Sequence, residues 1–334
     1  MSSVSIKDIA RVAKVSDSTV SRALHNSPLV RRETAERIRR IAEEMGYRPS
    51  AVARSLVTRK TKTIGVVVTT IADPFIAEVV SGIEEVANDH GYSVFLANSN
   101  ADPDREIKVV HSFHERRVDG ILVTASRVGA LYMDHLSEMK VPIVLINNQH
   151  PGEFVHSVMI DNVTASRAAT DHLIQLGHRR IAYIGDQFGY QSDTERFAGY
   201  RQALERAGLT FQPELVVHGD GKPEEGMRAM ERLLMLTSPP TAVFCYNDMT
   251  ALGALRMIRM RGLRVPEDIS LVGFDDLFIA SYTEPPLTTI RQPKRQMGRR
   301  AMELLLQLLR GENSQQTIWM QGELIIRHST APPR

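Results

Sequence analysis

Arg22, with Asp17 and Ser18 about one turn before it, forms the side-chain group best placed to do chemistry in this sequence. A guanidinium can donate two parallel hydrogen bonds to O6 and N7 of guanine, worth about 1–3 kcal/mol of discrimination between bases. The segment that carries the group, SIKDIARVAKVSDSTVSRAL at residues 5–24, reads as two short helices joined by a tight turn. Ser5 is an N-cap residue with Asp8 three positions on, a short form of the capping box. Ile6, Ile9, Ala10 and Ala13 recur at helical spacing, Lys14 and Val15 make the turn, and Ser16 caps the second helix. Val20, Ala23 and Leu24 then face back to the first helix, which leaves Asp17, Ser18, Ser21 and Arg22 on the outer face. That is the arrangement for entering a major groove. Asp17 has two readings: acceptor from cytosine N4, or an acid that favours the positive helix terminus. Ser16, Thr19, Ser21, Asn26, Thr34 and Tyr47 are the expected phosphate contacts. A third helix is expected at residues 32–45, with Ala35, Ile38, Ala42 and Met45 inward and Gly46 as its stop. The plainer alternative is a generic three-helix bundle.

Charge separates the two. Residues 1–60 hold 13 Lys and Arg against 6 Asp and Glu, whereas the rest of the chain holds 28 against 33. A net charge of +2 therefore conceals a basic head on an acidic body. Phosphate neutralisation needs that positive surface, and it lies on the segment with the helix-turn-helix pattern.

The elements that must position any further site are legible in outline. With 334 residues and 43% hydrophobic content the chain can build more than one core. Strands are expected at residues 63–68, 92–97, 119–124 and 142–147, and again at 180–185, 241–245 and 269–274. Helices alternate with them, at about 77–90 ending on Gly91 and about 196–207 ending on Gly208. This rhythm gives an α/β body of two lobes, at about 63–161 and 162–290, each with a parallel sheet flanked by helices. Ligands of such sheets sit in a crevice at the carboxyl ends of the strands. Thr69, Asp73, Phe75, Asn147, Asn247, Asp248, Asp275 and Asp276 all fall there, and Arg196 is expected to open a helix beside them. An aromatic ring to cover an apolar face, with Asp, Asn and Arg for hydroxyls, suits a sugar or another polyhydroxylated ligand. Each also has a structural role open to it: Asp275 or Asp276 as a cap, Asn147 in a turn, Phe75 in the core.

Several classes are disfavoured. No G-x-G-x-x-G follows the first strand, and neither a G-x-x-x-x-G-K-[ST] loop nor a G-x-S-x-G elbow occurs. The 11 histidines are scattered without metal-ligand spacing. No enzyme, cofactor or metal is therefore expected. The single Cys245 cannot form an intrachain disulfide, and its setting, AVFCYND, reads as a strand interior. No apolar run reaches membrane-span length and the sequence opens on a capped helix, so a cytoplasmic protein without membrane contact is expected.

Beyond these features the sequence resembles the lactose/galactose repressor (LacI/GalR) family of bacterial transcription regulators. The head motif IKDIARVAKVSDSTVSRAL followed by GYRPSAVARSL carries the resemblance, which continues through IGVVVTTIADPF, VDGILV, GHRRIAYIG, RFAGYRQAL, NDMTALGAL, VPEDISLVGFDD and PPLTTIRQP. It implies an all-α DNA-binding head at 1–48, a hinge helix and linker at 49–62, and an effector and dimerisation domain at 63–334 resembling periplasmic sugar-binding proteins. Crossings near Asp161–Val163, Arg291–Gln292 and the C-terminus would add 293–320 to the first lobe and 321–330 to the second. It implies effector contacts at Thr69, Phe75, Asn147, Arg196, Asn247, Asp275 and Gln292, and a minor-groove wedge at Leu56. His25 stands where members often carry Asn. Gly221 and Lys222 stand where many sugar-binding members carry an aromatic ring, a platform that is either absent here or supplied by Phe188 or Tyr190. A purine or phosphorylated sugar is also compatible with that departure. A two-lobed solute-binding protein would share the body but carry an export signal instead of a basic head. After RRAMELLLQLLRG no leucine heptad tail follows, so residues 302–309 read as a lobe-packing helix and the expected assembly is a homodimer on operator DNA.

Overall fold

Hydrophobic spacing in the head produces α1 (Ile6–Ala13), α2 (Asp17–Leu24) and α3 (Arg32–Glu44). This computed structural model describes residues 4–24, 26–47, 60–126, 141–149, 156–312 and 317–334. Ser5 and Asp8 cap α1 reciprocally: the Ser5 amide donates to Asp8 Oδ2 at 3.0 Å, and the Asp8 amide to Ser5 Oγ at 3.4 Å. Lys14 turns the chain with φ of 55°, and Ser16 Oγ accepts the Thr19 amide at 3.2 Å to start α2. α3 stops in a Schellman arrangement, Tyr47 N donating to Ala42 O at 2.8 Å and Gly46 N to Glu43 O at 2.9 Å. Gly46 takes the left-handed φ of 66° that this turn requires. Helices of eight residues are marginal alone, so the buried cluster of Ile9, Val20, Ala23, Ala35 and Ile38 is what holds them.

Residues 1–61 and 62–334 form two compact units. In the second, β1 (Thr63–Val68), β2 (Ser93–Asn98), β3 (Gly120–Thr124), β4 (Ile143–Ile146), β5 (Ser157–Ile160) and β11 (Thr317–Met320) form a parallel sheet ordered β2-β1-β3-β4-β5-β11. A second sheet repeats the plan as β7-β6-β8-β9-β10-β12, using β6 (Ile181–Asp186), β7 (Val216–Gly219), β8 (Ala242–Cys245), β9 (Ser270–Asp275), β10 (Thr288–Arg291) and β12 (Glu323–Ile325). Among the described strands only β12 runs antiparallel to its neighbour. The first sheet is flanked by α4 (Pro74–Asp89), α5 (Pro103–Glu115) and α10 (Lys294–Leu309). The second is flanked by α6 (Asn162–Gln175), α7 (Gln191–Arg206), α8 (Pro223–Leu234) and α9 (Asp248–Met260). Burial on both faces explains why the central strands are continuously apolar rather than alternating, as in TIGVVV and AVFC. Cys245 is one of those buried strand residues. The chain passes between sheets after β5, after β10, and between β11 and β12.

Two helix starts differ from the sequence reading. The helix expected from residue 77 begins at Pro74, because Asp73 accepts the Phe75 amide at 2.9 Å and proline fits the first helical position. The helix expected from Arg196 begins at Gln191, so Arg196 lies more than a turn inside it instead of opening it. Strands β5 and β7, of four residues each, lie outside the strands expected from sequence.

Backbone contact between helices is made possible by missing side chains. A Cβ on Gly298 of α10 would lie 2.0 Å from Val79 O of α4, and one on Gly82 would lie 2.0 Å from Arg295 O. α8 and α9 repeat the device, since a Cβ on Gly253 would sit 1.9 Å from Pro223 O. Backbone cannot yield to such a contact as a side-chain tip can. Gly298→Ala should therefore cost about 1–3 kcal/mol, read as a lower Tm in calorimetry; an unchanged Tm would show that the two helices are free to part.

Candidate functional site

The head presents Asp17, Ser18 and Arg22 exposed on one side of α2, while Val20 and Ala23 are buried on the other. Ser16 bonds within its own turn, its Oγ lying 2.9 Å from Ser18 Oγ and 2.8 Å from Thr19 Oγ1. Asn26 is exposed with φ of 56°, and its Oδ1 accepts from Arg39 Nη2 at 2.5 Å. That guanidinium also holds Ala23 O at 3.2 Å, fixing the end of α2 to α3. Thr34, Tyr47 and Ser21 are half-buried, and Tyr47 also packs against the head's core. Leu56 and His25 lie outside the described residues.

In the second unit the carboxyl ends of the strands open on a cavity of about 640 Å³. Thr69, Asp73, Phe75, Asn147, Arg196, Asn247, Asp275 and Gln292 all line it, so the structure brings the eight expected residues together. Both sheets contribute. Phe75 is half-buried and also touches the core of the first lobe, which fixes the orientation of its ring. Phe188 and Tyr190 line the opposite side, with ring centroids 6.2 Å apart, beside Gly221 and Lys222.

Arg196 is the most constrained cation in the cavity wall. It is only 4% exposed, its Nε donating to Asn162 Oδ1 at 3.0 Å and its Nη1 to Tyr246 O at 2.6 Å. Its guanidinium carbon lies 3.7 Å from the Phe274 ring centroid and 4.7 Å from that of Tyr246. Asn247 caps a helix, a role that the sequence reading of these strand ends leaves open only to Asp275 or Asp276. Its Oδ1 accepts the Thr250 amide at 2.8 Å to start α9, and its Nδ2 donates to Gly221 O at 3.0 Å. Asn147, with φ of 51°, leaves its buried Oδ1 without a partner, and Gln292 leaves its Oε1 so.

Asp275 closes β9 with φ of 119°, a conformation costly for a residue with a Cβ. Gln292 Nε2 donates to its Oδ1 at 2.7 Å, while the buried Lys294 Nζ donates to Asp275 O at 2.6 Å and Asp276 O at 2.8 Å. The neighbouring acids diverge. Burial acts to raise the Asp276 carboxyl, but Arg327 at 2.6 Å and Arg291 at 2.7 Å outweigh it and hold it below the ordinary value. Asp275 is pushed up by burial, Arg196 opposing and Asp73 adding to the rise. Asp73 is itself raised by burial. Asp248, fully buried behind the cavity wall, is raised by burial and then by Asp275, though Leu277 N and Thr289 Oγ1 donate to it at 2.7 and 2.6 Å.

Sequence reasoning missed Lys294, Asp186, Ser192, Tyr246 and Gln149. One signal was present: a lysine at the first position of a helix opposes the macrodipole and needs a local reason. Gln149 joins the lobes, its Oε1 accepting the Gln191 amide at 2.6 Å. Among the described residues no group of three His, Cys, Asp or Glu could hold a metal ion.

The raised carboxyls have a consequence for stability. The unfolded chain gives up these protons near 3.8, the folded protein only near about 7 for Asp275 and about 8 for Asp248. Over that window the native state binds more protons than the unfolded state, so stability falls as pH rises. Asp248→Asn, neutral throughout, should flatten the decline of Tm between about pH 5 and 8. An unaltered slope would mean that Asp248 ionises as an ordinary carboxylate.

Comparison with known proteins accounts for both units. Residues 5–50 match the model of bacterial regulatory proteins of the lacI family, and residues 170–330 that of the periplasmic binding protein-like domain. The chain is 39% identical to the HTH-type transcriptional repressor CytR of Escherichia coli strain K12, over 97% of this chain and 96% of that one. It is 36% identical to the HTH-type transcriptional repressor PurR of Aliivibrio salmonicida, over 97% and 98%. The lac repressor dimer bound to operator and the anti-inducer ONPF superimposes with a TM-score of 0.90 at 29% identity, over 99% of this chain and 100% of that one. No helix among the described residues is long and apolar enough to cross a membrane. Since the likeness to the curated repressors runs through head and lobes alike, the chain belongs to the LacI family of bacterial regulatory proteins, ligand-responsive DNA-binding transcriptional repressors rather than enzymes.

Proposed function

We propose that this protein represses transcription as a homodimer on a two-fold symmetric operator in the cytoplasm, and that a small polyhydroxylated ligand bound between its lobes sets operator affinity. The ligand is a sugar or sugar derivative in this reading. The observation that carries it is the cavity at the strand ends, lined from both lobes by the eight residues named from sequence. A ligand touching both lobes favours one lobe arrangement over another, which is what coupling to DNA requires. Residues 49–62 serve as hinge helix and linker, with Leu56 as an apolar wedge that unstacks the central base step. Dimerisation is supported by apolar side chains left at the surface. Phe95 and Leu96 are 46% and 43% exposed on edge strand β2, while Met260, Phe278 and Tyr282 are more than 60% exposed in the second lobe.

Arg22 reads guanine, with Asp17 and Ser18 on neighbouring positions and Ser16, Thr19, Ser21, Asn26, Thr34 and Tyr47 setting register on phosphates. In a binding-site selection Arg22→Ala should lose its preference at one position in each half-site, at about 1–3 kcal/mol. Unchanged base preference would overturn the assignment. For the cleft, Asp275→Ala should abolish ligand-dependent change in operator affinity, measured by titration of labelled operator with and without ligand. A full response in that variant would place the effector elsewhere.

A further inference from the structure

Resting on the cleft as the effector site, we propose that its ligand is uncharged and rich in hydrogen-bond donors, and that the site rejects phosphate esters. Four helices begin at the cavity wall: Pro74 of α4, Ser192 of α7, Pro223 of α8 and Met249 of α9 lie in their first turns and line it. Helix N-termini are the usual seats for phosphate. Here each has an acidic residue at its cap or in its first turn, although α7 and α8 have no side-chain cap and the Asp193 and Asp248 carboxyls bond to other elements. Asp73 caps α4 through the Phe75 amide, Asp193 and Asp248 lie in the first turns of α7 and α9, and α8 carries Glu224 and Glu225. Asn247 fills the remaining capping position on α9.

The side-chain charges lean the same way. Asp73, Asp186, Asp220, Glu224 and Asp275 line the cavity, against Arg196 and Lys222. Lys222 Nζ already lies 3.3 Å from Asp220 Oδ2. Arg196 has Nε and Nη1 committed to Asn162 and Tyr246, and its face lies against Phe274. A phosphate beside the buried Asp73 and Asp275 carboxyls would require both to stay protonated, whereas a hydroxyl pairs with either form. What the wall offers is acceptors. Asn147 Oδ1 and Gln292 Oε1 have no partner, and Gln292 is only 2% exposed. Hydroxyl or amino groups on a ligand would satisfy them, and an orphaned buried acceptor is costly to leave unmet.

The test uses the full-length protein and matched pairs: ribose and ribose 5-phosphate, glucose and glucose 6-phosphate, adenosine and adenosine monophosphate. Binding is followed by calorimetry and thermal shift, with inorganic phosphate against chloride at equal ionic strength as a bare-anion probe. An uncharged member should bind, its ester should bind at least roughly tenfold more weakly, and phosphate should shift Tm no more than chloride. An ester binding as tightly as its parent would overturn the proposal, as would a phosphate-dependent shift lost in Lys222→Met. Should no uncharged compound bind, the phosphate comparison alone decides the exclusion. Failure of the cleft reading itself looks different: an uncharged ligand binds, yet Phe75→Ala leaves its affinity unchanged.

Discussion

The second unit is organised around a buried ammonium. Lys294 is 4% exposed at the first position of α10, where the helix dipole disfavours a cation. It is held by Asp275 O and Asp276 O at the end of β9 and faces Glu78 Oε1 of α4 at 3.3 Å. Three oxygens thus offset the loss of water around one charge, and they come from both lobes. The same contacts hold Asp275 in its positive-φ conformation, so the carboxyl facing the cavity and the link between lobes are one structure. A ligand that moves Asp275 necessarily works against Lys294.

Around that point the protein keeps polar groups that a stable core would avoid. Asp248, Asp275 and Asp73 are all raised chiefly by burial, and two buried amide oxygens lack partners. These groups cost stability and are retained where the two sheets meet, as strained and unsatisfied groups tend to be at binding sites. The cores themselves tolerate this, because each sheet is covered on both faces and the flanking helices pack backbone to backbone through glycine. The head solves a different problem. Its core is small and rich in alanine, which lets two helices of eight residues approach closely while every longer polar side chain stays outside.

Much of this was legible in the chain. Local signals with a fixed physical period or a fixed partner three or four residues away need no tertiary context, hence the capping box at Ser5 and Asp8, the turn at Lys14, the stop at Gly46 and the apolar strands. Their ends were not, since Pro74 starts a helix on the Asp73 cap and Gln191 starts one without a side-chain cap, and apolar periodicity registers neither. For the cleft, sequence indicated which strand ends carried polar side chains, because ligands of parallel sheets gather there. It offered no means to see that Asn247 spends its amide on capping α9, or that Arg196 lies inside α7 between two aromatic rings.

Sequence by itself therefore determined the order of elements, the basic head with Arg22 on an outer face, and the family. The tertiary structure alone decided charge state and partnership. Asp275 and Asp276 are the same residue type at adjacent positions, yet one faces other buried acids and the other faces Arg291 and Arg327. Lys294 meets its partners only because β9, α4 and α10 converge from distant parts of the chain. A side chain's protonation and hydrogen bonds depend on what surrounds it in space, and along a strand end that environment reverses from one residue to the next.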